Sequence, residues 1–354
     1  MAKVLMKGNE AVGAAAIKAG CKYFFGYPIT PQNEVPEYMS KELPKIGGSF
    51  VQAESEVAAI NMVYGAAGAG VRVMTSSSSP GIALKQEGIS YIAGAELPCV
   101  IVNMMRGGPG LGSIQSSQSD YFQATRGGGN GDYRTLVYAP ANVQELVDYT
   151  MKAFDVADYY RNPVLVLGDG MIGQMMEPIE FKESEKMELP EKDWATTGTK
   201  EARKPNIVNS LRLQAPELEE LNKKIEAKYK EMEEREVIYE SYKLEDAEIV
   251  FVAYGTVSRI TKNAIDLLEK EGIKAGLIRP VTLWPFPNKA FAEIPATAKV
   301  LMSVEMSQGG QMIDDVKIAN EGRLPIGFYG RSGGMVPTPQ AIVESAKELL
   351  GGVK

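Results

Sequence analysis

The hexapeptide Gly26-Tyr27-Pro28-Ile29-Thr30-Pro31 holds a threonine hydroxyl between two prolines. Proline fixes its own φ and restricts the residue before it, so Thr30 is offered on a stiff loop. That hydroxyl can meet a ligand, or cap the helix that follows. Downstream, Gln52-Ala53-Glu54-Ser55-Glu56-Val57-Ala58-Ala59 brings two carboxylates to a strand-to-helix junction. Behind Glu56 the helix face is apolar, with Val57, Ile60, Val63 and Tyr64. Desolvation there opposes the charge while a helix amino end favours it. A carboxyl so balanced suits a proton shared with a ligand nitrogen. The alternatives are a carboxylate that only complements the helix dipole, or Glu54 in the same role; spacing does not choose.

Two more segments belong to the same discussion. Thr75-Ser76-Ser77-Ser78-Ser79-Pro80-Gly81 follows a strand and precedes a helix. Its hydroxyls and backbone N–H groups can hold an anion or a polar ligand edge, or simply form a capped turn. Arg106-Gly107-Gly108-Pro109-Gly110-Leu111-Gly112 follows the apolar run that starts at Cys99. An arginine there can clamp a carboxylate in a bidentate fork, or sit in a structural ion pair. Gly127-Gly128-Gly129-Asn130-Gly131-Asp132 is a second glycine loop able to fold over the same mouth. Neither loop fits G-x-G-x-x-G and no Walker A sequence is present, which disfavours nicotinamide or ATP binding through those motifs.

The elements that must position these residues alternate. Apolar strands are expected at 23–27, 50–53, 71–75, 99–104, 135–138 and 164–167, with helical patterns at 9–19, 56–68, 82–94 and 143–159. Such alternation means βαβ units and a parallel sheet, with ligands beyond the carboxyl ends of the strands. Thr30, Glu56, the 77–79 loop and Arg106 follow four separate strands, which points to one pocket at one sheet edge. Residues from about 180 to 240 are richer in charge, and 217–236 reads as an exposed helix with proline in its first turn. A second α/β unit is expected to begin near Ala247, with a strand entering a loop over 249–255, further strands at 275–278, 300–304 and 326–329, and helices at 258–271 and 338–350.

Bulk properties narrow the chemistry. The 354 residues suffice for two or three domains, and a net charge of -7 argues against nucleic acid as the main partner. No apolar run reaches the ~18 residues that span a bilayer. The opening Met1–Lys7 stretch is too short and interrupted for a secretory signal, so the protein is expected in the cytoplasm. The two cysteines, Cys21 and Cys99, read as small buried hydrophobes. An iron–sulfur cluster usually takes four thiolates, so none is expected on this chain. With no histidine at all, a histidine base is excluded from this chain, and acid–base work falls to carboxylates, a cofactor or a partner.

The combination Tyr27-Pro28-Ile29-Thr30-Pro31, Ser55-Glu56-Val57-Ala58-Ala59-Ile60, Ser79-Pro80-Gly81 and Leu97-Pro98 leading to Arg106-Gly107-Gly108-Pro109-Gly110 resembles the alpha subunit of the thiamine-diphosphate-dependent 2-oxoacid:ferredoxin oxidoreductases. The likeness covers both halves, since Arg279-Pro280-Val281-Thr282-Leu283-Trp284-Pro285-Phe286-Pro287 is similar to that family's transketolase carboxy-terminal domain. Residues 110–122 and 127–132 look most like the 2-oxoisovalerate (branched-chain) type. The resemblance implies an α/β fold: a parallel-sheet pyrimidine-type domain at 1–180, a charged helical linker at 181–243 and a transketolase C-terminal-like domain at 244–354.

For individual residues, the resemblance implies that Glu56 hydrogen-bonds N1′ of the aminopyrimidine, with Tyr27, Pro28 and Ser79 as further cofactor contacts. Thr30 would contact substrate and take part in catalysis, and Arg106 would hold the 2-oxoacid carboxylate. Gly168-Asp169-Gly170 begins a G-D-G segment, but no suitable asparagine follows. Magnesium and the diphosphate half-site are therefore expected on a beta subunit, and the [4Fe-4S] clusters on gamma or ferredoxin-like delta subunits, with no metal on this chain. Coenzyme A would accept the acyl group and ferredoxin the electrons. A pyruvate- or 2-oxoglutarate-specific enzyme and a non-catalytic assembly subunit are the competing readings. A distal carboxylate would need an added cation near the pocket, and the sequence alone does not place Arg126 or Arg134 there.

Overall fold

The computed structural model describes residues 3–182 and 187–352; Met1 and Ala2 of the opening stretch and 183–186 of the expected linker lie outside them. The first half runs β1 (Val4–Lys7), α1 (Gly8–Lys18), β2 (Tyr23–Gly26), α2 (Glu34–Glu42), β3 (Ser49–Gln52), α3 (Glu56–Gly68), β4 (Val73–Ser77), α4 (Ser79–Gly94) and β5 (Cys99–Met105). It continues through α5 (Tyr121–Arg126), β6 (Leu136–Tyr138), α6 (Val143–Tyr160), β7 (Pro163–Asp169), α7 (Gly170–Gln174) and β8 (Met176–Ile179). The second half holds α8 (Ala215–Arg235), β9 (Tyr239–Tyr242), β10 (Ile249–Val252), α9 (Gly255–Lys270), β11 (Ala275–Pro280), β12 (Thr282–Trp284), β13 (Val300–Glu305), α10 (Met312–Asn320), β14 (Ile326–Gly330) and α11 (Pro339–Gly352).

The main sheet has seven strands in the order β12-β6-β7-β5-β4-β2-β3. All its pairings are parallel except β12 with β6. Strands β5 and β7 are buried along their whole length, as strands in a parallel sheet covered on both faces must be. The second sheet, β14-β13-β10-β11-β9, is parallel but for β9.

Several boundaries differ from the sequence reading. Strand β4 lies two residues later than 71–75, because Thr75, Ser76 and Ser77 continue the ladder opposite Ile101, Val102 and Asn103. The hydroxyl run is thus partly strand, and helix α4 starts at once behind it with Pro80 in its first turn. The strand in the 249–255 strand-into-loop stretch is Ile249–Val252, and α9 begins at Gly255, ahead of the expected start at 258. In the second half, β9 already belongs to the second sheet, ahead of the expected start near Ala247.

Strand β12 was not separable by sequence from the second unit, yet it adds to the first sheet, with Thr282 opposite Tyr138. Its apolar residues decide this: Leu283 is fully buried, and Trp284 meets the ring of Tyr229 edge-on at 5.3 Å. Tyr229 belongs to α8, whose buried stripe Ile225, Tyr229 and Met232 has the spacing of one helix face. The linker helix is therefore a brace between the two halves rather than a free spacer.

The two halves are also stitched beside the main sheet's carboxyl edge. Gln118 Nε2 donates to the Tyr254 carbonyl at 2.9 Å, and its Oε1 accepts from the Met306 N–H at 3.0 Å. Gln311 Nε2 donates to the Ser119 carbonyl at 2.7 Å. A buried polar side chain that satisfies backbone groups on another element fixes register as well as contact. The loop after Arg106 is thereby held against the second unit.

Candidate active site

Strands β5, β4, β2 and β3 are consecutive and parallel, so their carboxyl ends share one edge. Arg106, Ser78, the Tyr27–Pro31 loop and Glu56 follow those four ends in turn. The structure therefore gathers the residues that the sequence singled out, as an open parallel sheet does.

Burial separates the two carboxylates that spacing could not. Glu54 is exposed, whereas Glu56 is 6% exposed at the first position of α3. Glu56 is not the cap of that helix: Ser55 Oγ accepts the Ala58 N–H at 3.2 Å. A carboxylate that neither caps nor faces solvent needs another partner, and buried charges are rarely left without one. Glu56 Oε1 lies under the glycine face of α4, where a β-carbon on Gly81 would come within 2.7 Å of it and would also collide with Ser77 Oγ.

This contact gives a first prediction. Gly81 sits inside a helix, where alanine ordinarily stabilises by about 0.5–1 kcal/mol. Here Gly81→Ala is expected to cost about 1–3 kcal/mol, since the methyl must push aside Glu56 and Ser77. Urea denaturation measures the stability. An unchanged or raised midpoint would mean that Glu56 has room to move away.

The Thr30 loop is as stiff as its prolines imply. Asn9 Nδ2 and Gln174 Nε2 both donate to the Pro31 carbonyl, at 2.8 and 3.0 Å. Ser76 Oγ donates to Gln32 Oε1 at 2.5 Å, tying the loop to β4. Thr30 is half-buried and does not cap α2, whose N-cap is Asn33. Its hydroxyl contacts only the Asn33 amide among the described hydrogen bonds, at 3.4 Å. Tyr27 and Pro28 are exposed at the same edge.

Arg106 brackets this loop. Its Nη1 donates to the Thr30 carbonyl at 2.9 Å and its Nη2 to the Leu111 carbonyl at 3.0 Å. Its Nε is buried without a partner. No ion pair holds it among the described residues. Behind it, Ser79 Oγ accepts the Arg106 N–H at 2.9 Å and donates to Asp120 Oδ2 at 2.5 Å. The Ser79 hydroxyl is therefore engaged within the protein, while the buried hydroxyls of Ser77 and Ser78 have no partner. Two clefts flank the Arg106 loop. One, of about 850 Å³, is lined by Ser79, Gly108, Asp120, Ser307 and Gly333. The other, of about 620 Å³, is lined by Thr30, Gln115, Ser116, Gly170 and Gln174.

Sequence reasoning missed three members of this neighbourhood. Asp120 is half-buried, and desolvation pushes its carboxyl up against the opposing hydrogen bonds from Ser79 and Asn103. Asn103 bridges it to the Ser79 N–H, at 2.9 and 3.1 Å. Lys85 is fully buried on α4. Its signal was a lysine one turn after Gly81, on the face that also carries Ile82 and Ile89. Conversely, Asp169 is occupied as the cap of α7, accepting from Met171 and Ile172 at 2.9 and 3.1 Å. Cys21 and Cys99 are buried with thiols pushed up to about 12 by desolvation, as small core residues.

A parallel sheet that gathers a buried carboxylate and orphaned hydroxyls at its carboxyl edge has the layout of an α/β ligand-binding domain. The chain belongs to the 2-oxoacid:ferredoxin oxidoreductase family as its alpha subunit: residues 14–244 match the model for "Pyruvate flavodoxin/ferredoxin oxidoreductase, thiamine diphosphate-binding", and 247–342 match "Pyruvate:ferredoxin oxidoreductase core domain II". It is 51% identical to the ketoisovalerate oxidoreductase subunit VorB of Methanothermobacter marburgensis, over 99% of both chains. It is 36% identical to the 2-oxoglutarate synthase subunit KorA of Methanocaldococcus jannaschii, over 86% of this chain and 88% of that one. The solved 2-oxoglutarate:ferredoxin oxidoreductase from Magnetococcus marinus, with 2-oxoglutarate, coenzyme A and succinyl-CoA bound, superposes with a TM-score of 0.86 at 29% identity. That match covers 98% of this chain and 65% of the other. A split-gene transketolase, TM-score 0.60 at 14% identity, shares the fold.

The residues present fit the pyrimidine end of thiamine diphosphate. A buried carboxylate at a helix start can take a ring nitrogen. The unpartnered Ser77 and Ser78 hydroxyls supply further polar contacts, and glycine at position 81 lets helix α4 pack closely on Glu56 and Ser77.

Proposed function

We propose that this chain works in the CoA-dependent oxidative decarboxylation of a branched-chain 2-oxoacid, 2-oxoisovalerate by preference, to acyl-CoA and CO2 with electrons passed to ferredoxin. The observation that carries the reading is Glu56: a carboxylate 6% exposed, placed at the sheet edge beside unpartnered hydroxyls. Thiamine diphosphate, when bound, supplies the carbanion chemistry that a chain without histidine lacks. Glu56 holds the proton at N1′ of its aminopyrimidine. Tyr27 and Pro28 border the ring, and Ser79 keeps the Arg106 loop in register behind it. Thr30 orients the substrate, and Arg106 binds its carboxylate with the N–H groups that the Thr30 and Leu111 carbonyls leave free.

The substrate choice rests on the 51% identity to a ketoisovalerate oxidoreductase subunit and on the engagement of Arg126. Arg126 is paired with Asp315 at 2.7 Å and so is not free to meet the distal carboxylate of 2-oxoglutarate. In this reading residues 1–180 carry the pyrimidine site, 181–243 brace it and 244–354 close its mouth. A beta subunit docks on the exposed apolar Tyr27, Val51 and Val57 at the same edge and brings magnesium and the diphosphate site. Gamma and ferredoxin-like delta subunits bring the [4Fe-4S] clusters. The complex belongs in the cytoplasm, and no helix among the described residues is long and apolar enough to cross a membrane.

The test is a panel of 2-oxoacids in a viologen-reduction assay on the reconstituted complex. Branched-chain substrates are expected to exceed pyruvate and 2-oxoglutarate in kcat/KM by about tenfold or more, the scale set by filling an apolar pocket. A preference for 2-oxoglutarate would overturn the substrate, and silence with every 2-oxoacid would favour an assembly role.

A further inference from the structure

We infer that Lys85 is a positioning residue for Glu56, its buried ammonium setting the electrostatic field in which Glu56 shares its proton. The inference rests on the reading of Glu56 as the cofactor contact. Gly81 and Lys85 are one turn apart on α4, so they share a face. Helical side chains lean toward the amino end, over the preceding turn. Lys85 therefore reaches back over the turn where the bare α-carbon of Gly81 opens onto Glu56 Oε1 and Ser77 Oγ. Its Nζ donates to Thr75 Oγ1 at 2.7 Å and to the Ser76 carbonyl at 3.1 Å, at the end of β4.

A lysine with no exposed surface is costly where a methionine would pack as well, so its charge calls for an explanation. The groups that act on it are few. Thr75 and Ser76 come from β4, Glu56 from α3 and Cys99 from β5. The Cys99 thiol, pushed up to about 12, stays neutral. Glu56 is left as the charged neighbour. Burial pulls the Lys85 ammonium down to about 7 while Glu56 works against that fall. Below that pH, Lys85 is a cation whose field reaches the carboxylate; above it, a neutral amine. The two states impose different fields on a proton shared between Glu56 and a ring nitrogen.

The experiment compares wild type, Lys85→Met, Lys85→Arg and Glu56→Gln in the reconstituted complex. Thiamine diphosphate affinity of the cofactor-free complex is measured by calorimetry, and kcat and KM by viologen reduction, between about pH 6 and 9. Wild type is expected to show a step near neutral pH in both cofactor affinity and kcat. Lys85→Met should lose the step and lower kcat roughly tenfold or more, with KM for the 2-oxoacid little changed. Lys85→Arg, always charged, should restore most of the low-pH kcat and also lack the step. A wild-type step preserved in Lys85→Met, or a loss of cofactor affinity equal at every pH, would make the lysine structural and overturn the inference. If Lys85→Met does not fold, Lys85→Arg decides: a retained step near neutral pH overturns the idea, and its absence supports it. Glu56→Gln separates the two claims. Full turnover there removes the parent reading, whereas lost turnover with an unaltered Lys85→Met profile removes only this one.

Discussion

Glu56→Gln is expected to leave the complex folded and to lower kcat by roughly 10²-fold or more, the loss associated with removing a proton-sharing group. Glutamine keeps the shape, and Ser55 rather than Glu56 caps α3, so the helix start survives. The remaining cost is one charge at a helix amino end, about 0.3–1 kcal/mol. Urea denaturation of the variant should therefore stay close to wild type while viologen reduction collapses. That pairing is the diagnostic, because a merely structural carboxylate would lose both together. Near-normal turnover in the reconstituted complex would remove Glu56 from the chemistry.

Arg106→Met should have the next largest effect. Removing one partner of a desolvated charge pair costs about 2–5 kcal/mol, which is a rise in KM of about thirtyfold at the lower end. The structure adds a complication with its own readout. Arg106 also holds the carbonyls of Thr30 and Leu111, so the variant loosens the loop that presents Thr30. Arg106→Lys discriminates: a point charge can attract a carboxylate but cannot bridge two carbonyls with a planar fork. If the substrate role dominates, lysine recovers part of the KM. If lysine and methionine both destabilise the complex and leave KM near wild type, the arginine is a bracket only.

Much of the site was readable because its parts sit at strand ends, where local sequence reports local structure. Proline on both sides of Thr30 implied a stiff loop, and Asn9, Gln32 and Gln174 are found holding it. Glycine-rich loops after Arg106 and after Arg126 were evident from composition. What failed was anything decided by a neighbour distant in sequence. Polar residues look like loop, so the sequence expects a strand at 71–75, whereas pairing with β5 carries the ladder through Ser77. The choice between Glu54 and Glu56 needed burial. Lys85 looked like one lysine on one helix until α3 and β4 were packed against it.

From the residues alone came the α/β alternation, the four strand ends bearing Thr30, Glu56, the serines and Arg106, and the absence of a histidine base. These are properties of periodicity and composition, which need no knowledge of long-range contacts. Tertiary structure decided which carboxylate is buried, which hydroxyls have no partner and which strand, β12, crosses to the first sheet. The physical reason is that burial and hydrogen-bond satisfaction are set by what packs against a residue. For Glu56, that is a turn of helix α4 lying twenty-five residues further along the chain, from Gly81 onward.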